Sequence, residues 1–397
     1  MNRETRLTSQ RGTTAGRVIR VGVDTTAIRR TRTGVETYIC RLVEHLAPRS
    51  DLQLFVFANL QDAGAMRRDL PDSVRILATA FRWRPSRTVS HQVLLPVWAR
   101  LLDLDVLHST AFLLSFACPC AQVLTVHDMA FYTLPPPLCP PVDPLFRRLV
   151  LAGMRRADRI IVPSHTSLGA ARRIVPGISE DRFRVIPDGV TGSAAPCAPE
   201  RVAAVRRRFG IADDYILYLG TLEPRKNLPH LVRAYAAAVT AHGCCADLVL
   251  AGSVGWHPAP LERALRALPS GARVHRTGYV SEEDAAALYT GARVFVYPSI
   301  EEGFGLPPLE AMAHGTPVIS SNSSAMAEVL SGAAILVDPR DETALSGAIL
   351  HVLNDRNRAR ELRRAGFNRA TEFTWERTAA ETNACYREVV GSRRDKR

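Results

Sequence analysis

Lysine is nearly missing from this sequence of 397 residues. Only two of its 51 basic residues are lysines, Lys226 and Lys396, so the other 49 are arginines. Lys226 follows Arg225 in the run YLGTLEPRKN, whereas Lys396 lies in a charged C-terminal tail. A compact ammonium and a planar guanidinium bind anions differently, and side by side they can hold a diphosphate as a point charge and a bidentate fork. The alternative is that Lys226 reflects codon usage alone, so the surrounding sequence has to decide.

Long apolar runs are absent too. No stretch reaches the roughly 18 uninterrupted apolar residues that a membrane span requires. Residues 1–16 are polar and lack the apolar stretch of a signal peptide. We therefore expect a disordered tail over residues 1–16 and a cytoplasmic protein that is either soluble or peripheral on the inner face of the cytoplasmic membrane.

Signatures of metal and cofactor binding are missing as well. The eight cysteines are irregularly spaced in a chain without an export signal, which predicts reduced thiols rather than disulfides. Cys118 and Cys120 have no second close pair, and no histidine cluster completes a tetrahedral zinc site. No GxGxxG follows the first predicted strand, which argues against a dinucleotide oxidoreductase. We expect neither a metal ion nor a cofactor.

What the sequence has instead is positive charge. The net charge is +12, and residues 1–200 carry 26 basic and 17 acidic side chains, hence +9 of that total. A basic surface can serve nucleic acid, an anionic membrane or a phosphorylated substrate. Arg82, Trp83 and Arg84 precede an apolar run at 93–98, a combination that suits a membrane interface. We interpret these three residues as an acceptor or membrane contact; the alternative is a solvated loop before a core helix.

Short β-rich apolar runs alternate with helical patterns from end to end, which is typical of βαβ units and parallel sheets. The predicted strands cover residues 18–23, 52–57, 74–77, 105–108, 123–127, 159–162, 183–186, 215–219, 247–251, 273–277, 294–297, 317–320 and 334–337. The pattern predicts an α/β protein with two Rossmann-like domains that face a cleft. The predicted boundaries are a tail at 1–16, an N-terminal domain at 17–190, a linker rich in Pro, Gly, Ala and Ser at 191–200, a C-terminal domain at 201–372, and a crossover helix with a tail at 373–397.

The segment Tyr297–Ile319, YPSIEEGFGLPPLEAMAHGTPVI, carries the strongest chemical signal. A predicted strand ends at Tyr297, and the two prolines at 307 and 308 favour the first turn of a helix over residues 306–313. The backbone amides just before and within that first turn form an anion site. They belong to Gly303, Phe304, Gly305 and Leu306. Glu302 and Glu310 bracket the turn, and a carboxylate that accepts two vicinal hydroxyls is a common way to hold a sugar.

This loop and helix resemble the E-x7-E signature of the retaining glycosyltransferases of family four. YLGTLEPRKN resembles the basic motif of that family, and the resemblance continues through RVGVDTTAI, VLHST, LTVHDMAF, IIVPSHTS, VIPDGV and VISSNSSAMAEV, over nearly the whole chain. E-x7-E alone is a weak signal, but GFGLPPLEAM around it and PRKN upstream make it strong. The family has the GT-B architecture: two Rossmann-like domains, the first for the acceptor and the second for the nucleotide-sugar donor, with a C-terminal helix that crosses back to the first.

The resemblance implies roles for individual residues. In the family the first glutamate of the signature contacts the donor sugar and the second holds the nucleotide ribose, which assigns Glu302 and Glu310, although Glu301 competes for the sugar role. The Arg-Lys pair binds the donor diphosphate, which assigns Arg225 and Lys226. The further donor-binding residues are Gly34, Gly220, Gly303, Phe304, Gly305 and Leu306. For Gly34, placed in a loop over the donor phosphates, the alternative is a plain helix N-cap.

Four residues are expected to be catalytic: His127, Glu302, Arg225 and Lys226. His127 resembles the family histidine that approaches the reacting carbon, whereas a lone histidine is otherwise more often structural. Asp128 either orients it or caps the next turn. His108 and Ser164 are weaker candidates, as residues that line the cleft.

The resulting expectation is a retaining glycosyltransferase that resembles the mannosyltransferases of bacterial surface-polysaccharide, or lipopolysaccharide, assembly. It moves a hexose, with mannose from GDP-mannose as the first choice, to a hydroxyl of a glycan acceptor carried on polyprenyl diphosphate. Fixed cations replace a metal ion at the leaving diphosphate. No carboxylate qualifies as the nucleophile of a double displacement, which favours front-face attack. Two alternatives stay open: a nucleotide-sugar epimerase of the same fold, and a basic nucleic-acid-binding protein, although no nucleic-acid recognition motif is present.

Overall fold

The computed structural model describes residues 17–28, 34–79, 84–191 and 197–394. The predicted tail at 1–16 lies outside these ranges, as do residues 192–196 of the predicted linker. Arg82 and Trp83 also lie outside the described residues, and Arg84 begins a helix without a described side chain. The roles assigned to these residues therefore stay predictions.

Seven parallel strands form the sheet of the N-terminal half, in the order β3-β2-β1-β4-β5-β6-β7. The strands are β1 Ile19–Asp24, β2 Leu52–Asn59, β3 Arg75–Thr79, β4 Val106–Ser109, β5 Ala121–Thr125, β6 Arg159–Val162 and β7 Phe183–Val185. The helices are α1 Gly34–Leu46, α2 Leu60–Asp69, α3 Arg84–Leu101, α4 Ala130–Thr133, α5 Pro144–Arg156 and α6 His165–Ile174.

Six parallel strands form the second sheet, in the order β10-β9-β8-β11-β12-β13. They are β8 Tyr215–Leu219, β9 Asp247–Ala251, β10 Val274–Gly278, β11 Val294–Tyr297, β12 Val318–Ser321 and β13 Ile335–Val337. The helices around this sheet are α7 Pro199–Phe209, α8 Leu228–His242, α9 Ala259–Arg266, α10 Glu282–Gly291, α11 Leu306–Ala313 and α12 Ser324–Val329.

Every strand lies within two residues of its predicted position. Helices cover both faces of a parallel sheet, so its strands become continuous apolar runs rather than alternating ones. β8 (YILYL) and β9 (DLVLA) show this, since nearly all of their residues are buried. This burial is the physical reason that the sequence pattern predicted the two doubly wound sheets correctly.

Three helices end the described chain: α13 Glu342–Asn354, α14 Arg356–Ala370 and α15 Trp375–Arg394. α15 returns to the N-terminal sheet, where the Tyr386 hydroxyl lies 2.6 Å from His108 Nδ1 and Asn383 Nδ2 donates to Asp51 Oδ2 at 2.7 Å. Near its end Arg393 pairs with Asp158 at 3.0 Å. The predicted helix that crosses back to the first domain is therefore confirmed.

The start of α15 also holds the segment at which the chain leaves the first sheet. Thr378 Oγ1 donates to Pro187 O at 2.8 Å, and Val190 N donates to Phe373 O at 3.1 Å. A Cβ on Gly189 would lie 2.3 Å from Trp375 N, so a larger residue would push these two segments apart. The two segments that connect the sheets, residues 187–190 and 373–378, thus pack against each other, and we call this contact the joint.

Asp188 is a buried carboxylic acid within this joint. It is 5% exposed, and among the described residues its Oδ1 has no hydrogen-bond partner. Burial raises the pKa of Asp188 from 3.8 to about 7. Between about pH 4 and pH 7 the carboxyl group is therefore protonated in the folded protein, whereas in an unfolded chain it is ionised.

Asp188→Asn is expected to stabilise the protein above neutral pH. The raised pKa means that the stability contributed by the protonated carboxyl is full below about pH 4 and is lost as the pH rises through about 7. Asparagine does not titrate, so the variant should exceed wild type by on the order of 4 kcal/mol at pH 8 and approach it at about pH 4. Urea unfolding at both pH values measures the difference. Equal stability at pH 8 would contradict the assignment.

Within the described ranges, no helix combines the length and the apolar character needed to cross a bilayer.

Candidate active site

The carboxyl ends of the two sheets face one another, where open parallel sheets bind ligands. The loop after β11 reaches across to the N-terminal sheet, and the hydroxyls of Ser164 and Ser167 donate to Gly303 O at 2.7 and 3.0 Å. A Cβ on Gly303 would lie 1.9 Å from His127 O, so only glycine permits this approach. The structure thus brings His127 next to the residue that follows Glu302.

Lys226 is held at the end of a single 3-10 turn, Pro224–Lys226, that follows β8. Its side chain is 6% exposed, and Nζ donates to Tyr297 OH and to Glu302 Oε1, each at 2.5 Å. Burial and then the charge of Arg225 lower the pKa of Lys226, whereas Glu302 raises it. The one lysine of the described residues is therefore a buried cation whose charge depends on a specific carboxylate.

Glu302 is the anion at the centre of this cluster. It is 8% exposed and accepts hydrogen bonds from Arg225 Nη1 at 2.9 Å, Lys226 Nζ at 2.5 Å and Ser299 Oγ at 2.6 Å. Burial alone would raise the pKa of Glu302, but Arg225 and then Lys226 outweigh burial and hold this pKa at about 2. Glu302 is ionised throughout the physiological range.

Arg225 completes the cluster from the same turn. Its Nε pairs with Glu223 Oε1 at 2.6 Å, and its backbone oxygen accepts from Ile300 N at 2.9 Å and from Ser299 Oγ at 3.1 Å. The charges of two cations and two carboxylates therefore compensate one another in this cluster. A single buried charge would have no such compensation. The loop after β8 and the loop after β11 are tied together by these contacts.

Two helix N-termini meet beside the cluster. α11 begins at Leu306, after Gly305 in the left-handed region at φ 105°. α1 begins at Gly34, where a Cβ would lie 3.9 Å from Leu306 Cδ1. The positive ends of both helix dipoles therefore point to one region, which favours phosphate. Gly34 both starts a helix and borders the cleft, so the two interpretations of this residue are compatible.

Phe304 and Gly220 lie at the edges of the same region. Phe304 is 5% exposed and its ring packs edge-on against Phe373 at 5.5 Å, which anchors the loop to the joint between the domains. Gly220 directly follows β8, where its N–H donates to Ala251 O at 2.9 Å. Their assignment to donor binding stays a prediction.

Glu310 lies on the second turn of α11, and Tyr289 OH donates to its Oε2 at 3.0 Å. Burial raises the pKa of Glu310, and the nearby charge of Glu282 acts in the same direction. Glu282 in turn pairs with Arg41 of α1 at 2.7 Å, a contact between the two domains. Glu302 and Glu310 thus occupy different neighbourhoods, as two roles on one extended ligand would require.

His127 follows β5, and its Nε2 lies 2.9 Å from Thr110 O. A carbonyl oxygen only accepts, so Nε2 carries the proton and the lone pair of the neutral ring is on Nδ1. Burial lowers the pKa of His127, while the bond to Thr110 opposes that shift. Tyr38 packs edge-on against the ring at 4.8 Å and Phe112 at 5.8 Å. His127 is therefore oriented as a neutral hydrogen-bond acceptor.

His108 does not line the cleft, so that expectation is wrong. The residue is 0% exposed, with Nε2 at 2.8 Å from Thr125 Oγ1 and Nδ1 bonded to Tyr386. Burial lowers the pKa of His108 to about 3. The reason is that α15 crosses back over β4 and covers this histidine, which makes it a neutral structural residue.

The contacts of the remaining candidate residues, Asp128, Glu301 and Ser164, show where each of them lies. Asp128 caps the turn after His127, since its Oδ1 accepts from Ala130 N at 3.1 Å. Glu301 accepts from Thr133 Oγ1 across the domain contact, so it points away from the cations that Glu302 holds. Ser164 caps α6 and contacts Gly303, which places it at the cleft as expected.

Tyr297, Ser299 and Tyr289 were missed by the sequence reasoning. Each forms a hydrogen bond with a charged residue of the site. Tyr297 OH accepts from Lys226, Ser299 Oγ donates to Glu302, and Tyr289 OH donates to Glu310. The signal available for Tyr297 and Ser299 was their position at the end of β11 beside Glu302. Tyr289 lies on α10, and nothing local in the sequence connects it to Glu310.

The domains are in contact all along the cleft. Glu328 of α12 accepts from His165 N and Thr166 N, both at 2.9 Å, and Trp256 Nε1 donates to Pro137 O at 3.0 Å. Lys226, Glu302 and His127 are each less than a tenth exposed, so little of these side chains is open to solvent while the domains are in contact. In the part of the chain that the structure describes, no three His, Cys, Asp or Glu side chains are grouped to hold a metal ion.

Family models of glycosyltransferases match both halves of the chain. The "Glycosyltransferase Family 4" model matches residues 32–191, and the "Glycosyl transferases group 1" model matches residues 205–369. The chain is 31% identical over 382 residues to the O-antigen chain mannosyltransferase B of Escherichia coli, covering 89% of this chain and 96% of that protein. These matches favour the transferase over the epimerase and the nucleic-acid binder.

Solved structures give the same fold. Sucrose-phosphate synthase from Thermosynechococcus elongatus superimposes with a TM-score of 0.74 at 23% identity, covering 94% of this chain and all of that one (100%). HepE of Anabaena in complex with UDP-glucose gives a TM-score of 0.74 at 17% identity, with 92% and 100% covered. The two sheets, the crossing helix and the sequence matches together show that the chain belongs to the family-four glycosyltransferases of the GT-B fold.

Proposed function

We propose that the protein transfers a mannosyl residue from GDP-mannose to a saccharide hydroxyl, with retention of the anomeric configuration, during O-antigen or related lipopolysaccharide assembly. The observation that carries the proposal is the buried cluster of Arg225, Lys226 and Glu302 where the carboxyl ends of the two sheets meet. The name of the O-antigen mannosyltransferase relative supports the choice of mannose and of the polysaccharide pathway.

The cluster is suited to a diphosphate leaving group. When the bond to the sugar breaks, negative charge develops on the diphosphate, and fixed donors lower the barrier. Arg225 and Lys226 supply two cations, and the N-termini of α1 and α11 add backbone donors beside them. These charges do the work that a divalent cation does in other transferases, so the reaction is proposed to run without a metal ion.

Retention is proposed to follow front-face attack. A double displacement needs a free carboxylate on the face opposite the leaving group. Glu302 already accepts three hydrogen bonds, and two come from cations, which makes it a weak nucleophile. Asp128 is engaged in capping a turn. The leaving phosphate is then the group that takes the acceptor proton, and a trapped glycosyl adduct on Glu302 or Asp128 would refute this step.

His127 is proposed to position the donor sugar. Its neutral ring presents Nδ1 as an acceptor, because Nε2 donates to Thr110 O. A sugar hydroxyl is a matching donor. The role is orientation of the hexose near the diphosphate rather than removal of the acceptor proton.

The acceptor is proposed to be a glycan on polyprenyl diphosphate, reached by peripheral contact with the inner face of the cytoplasmic membrane. Downstream of the predicted Arg82–Arg84 contact, the outer face of α3 carries a stripe of exposed apolar side chains at every fourth position. They are Val93, Val97 and Leu101, which are 54%, 50% and 71% exposed. Arg100 is exposed beside them.

A triple change of Val93, Val97 and Leu101 to serine is expected to weaken binding to vesicles of phosphatidylglycerol and phosphatidylcholine by roughly tenfold or more, because each apolar side chain loses its transfer free energy. A matched control is Phe367→Ser on α14, also exposed at 44%, which should leave binding unchanged. Changing Arg82, Trp83 and Arg84 to alanine should weaken binding as well. Sedimentation with the vesicles measures all three, and unchanged binding in both test variants would remove the membrane contact.

Calorimetric titration tests the donor assignment. GDP is expected to bind to the full chain in the presence of EDTA, and more tightly than UDP or ADP. GDP-mannose should then be hydrolysed slowly without an acceptor and faster with a mannoside. Tighter binding of UDP, together with hydrolysis of a UDP-sugar, would replace GDP-mannose as the donor.

A further inference from the structure

Cys118 and Cys120 form a close thiol pair in the turn before β5. Their Sγ atoms are 3.3 Å apart, and the side chains are 7% and 6% exposed. All eight cysteines are free thiols. The two sulfurs need to approach by only about 1 Å to reach the S–S bond length of a disulfide.

The two thiols are not equivalent. The hydrogen bond between the two thiols lowers the pKa of Cys118. The same contact, and then burial, raises the pKa of Cys120. Arg393 Nη1 donates to Pro119 O at 3.1 Å, so a guanidinium lies at the turn that joins the two cysteines. A cation beside the pair favours a thiolate, which is the reactive form. With the Cys120 thiol as the hydrogen-bond donor, Cys118 is the nucleophile.

The pair is remote from the cluster that binds the donor. Cys120 directly precedes β5, whereas His127 follows its other end. A strand of five residues separates the two places by about 16 Å. The cysteines belong instead to a buried apolar cluster that also contains Leu95 and Ala99 of α3, and Trp98 packs against this cluster. A change in their oxidation state therefore occurs at the opposite end of the N-terminal sheet from the cleft.

We propose that Cys118 and Cys120 are a redox site, which hydroperoxides convert to a reversible disulfide. The Cys118 thiolate attacks one peroxide oxygen and the O–O bond breaks, which yields a sulfenic acid and, with one proton, water. The Cys120 thiol then attacks the Cys118 sulfur, the S–O bond breaks, and a second water leaves. Two thiols and hydrogen peroxide thus give one disulfide and two waters; the sulfurs lose two electrons and the peroxide gains them. A dithiol reductant reverses the reaction by exchange.

Peptide mapping of the full chain tests the pair directly. The protein is treated with a small molar excess of hydrogen peroxide, alkylated in denaturant and digested, and the masses of the peptides are measured by mass spectrometry. The peptide that contains residues 118 and 120 is expected to lose two hydrogens and to take up no alkylating agent, and dithiothreitol should restore both alkylation sites. Cys245, which is exposed, serves as the internal control and should form no disulfide with either cysteine. Alkylation of both Cys118 and Cys120 after peroxide treatment would overturn the proposal.

Single substitutions separate the two roles. In Cys120→Ser the sulfenic acid should persist on Cys118 and be trapped by dimedone, whereas Cys118→Ser should give several-fold less trapping at Cys120. Equal trapping in the two variants would contradict the assigned nucleophile. The mapping on wild type needs neither variant, and neither result depends on the identity of the transferred sugar.

Discussion

Replacing Glu302 by alanine is expected to lower the free energy of unfolding by about 3–5 kcal/mol, the largest effect of any single change in the site. The carboxylate pairs with both Arg225 and Lys226, and Lys226 stays buried without it. Glu223 still pairs with Arg225, so Lys226 is the cation left without a carboxylate, next to a guanidinium that cannot release its proton. Urea denaturation at pH 7 measures the loss, and activity should vanish even where the variant is folded, because the cations then lose their orientation.

The pH dependence gives a second readout of the same residue. The lowered pKa of about 2 for Glu302 means that its contribution to stability is present above about pH 4.5 and is lost as the pH falls toward 2. Glu302→Gln should flatten this part of the profile. Glu301→Gln is the matched control, because the neighbouring carboxylate is not held by the cations, and it should change stability by less than about 1 kcal/mol. A loss below about 1 kcal/mol in Glu302→Ala would show that the cluster does not depend on this charge.

Lys226→Ala is expected to reduce kcat/KM about 100- to 1000-fold, the loss that follows removal of one fixed donor to a developing anion. GDP affinity should fall by roughly 1.5–3 kcal/mol, because one charged contact to the diphosphate is gone. Calorimetry measures the affinity and steady-state kinetics the rate. The surface cation Arg233, which is 51% exposed, provides the control, and its alanine variant should match wild type.

Lys226→Arg tests whether the rare lysine has a chemical reason. Nζ fits between two oxygen atoms at 2.5 Å each, Tyr297 OH and Glu302 Oε1. A planar guanidinium is larger and needs a different geometry, so the variant should remain at least tenfold below wild type. Full activity in Lys226→Arg would indicate that codon usage alone explains the lysine.

The sequence predicted the fold because periodicity is a local property. The strands and the helix over Leu306–Ala313 follow from apolar runs, prolines and turn residues, and all are present. His108 shows the limit of this reasoning. It follows the same strand-end pattern as His127, but α15, more than 250 positions later in the chain, covers it. A long-range contact of this kind leaves no mark beside the residue it affects.

The predicted site residues were found together for a different reason. Arg225, Lys226 and Glu302 lie in the loops that follow β8 and β11, which are neighbouring parallel strands, so topology brings them to one edge of the sheet. Their partners could not be predicted in the same way. Tyr297 sits on a buried strand where a tyrosine ring also serves the core, and only the position of Nζ shows that its hydroxyl has a use. The close approach of Gly303 to His127 likewise depends on how the domains meet.

The proposed role of the cations at the leaving diphosphate is tested most directly by the initial rate of GDP release from GDP-mannose, with a mannoside acceptor and EDTA, in wild type and in Lys226→Ala. We expect turnover by wild type without a divalent cation, a product that keeps the anomeric configuration of the donor, and a rate at least 100-fold lower in the variant. Absence of turnover until a metal ion is added, or equal rates for the two proteins, would contradict this role.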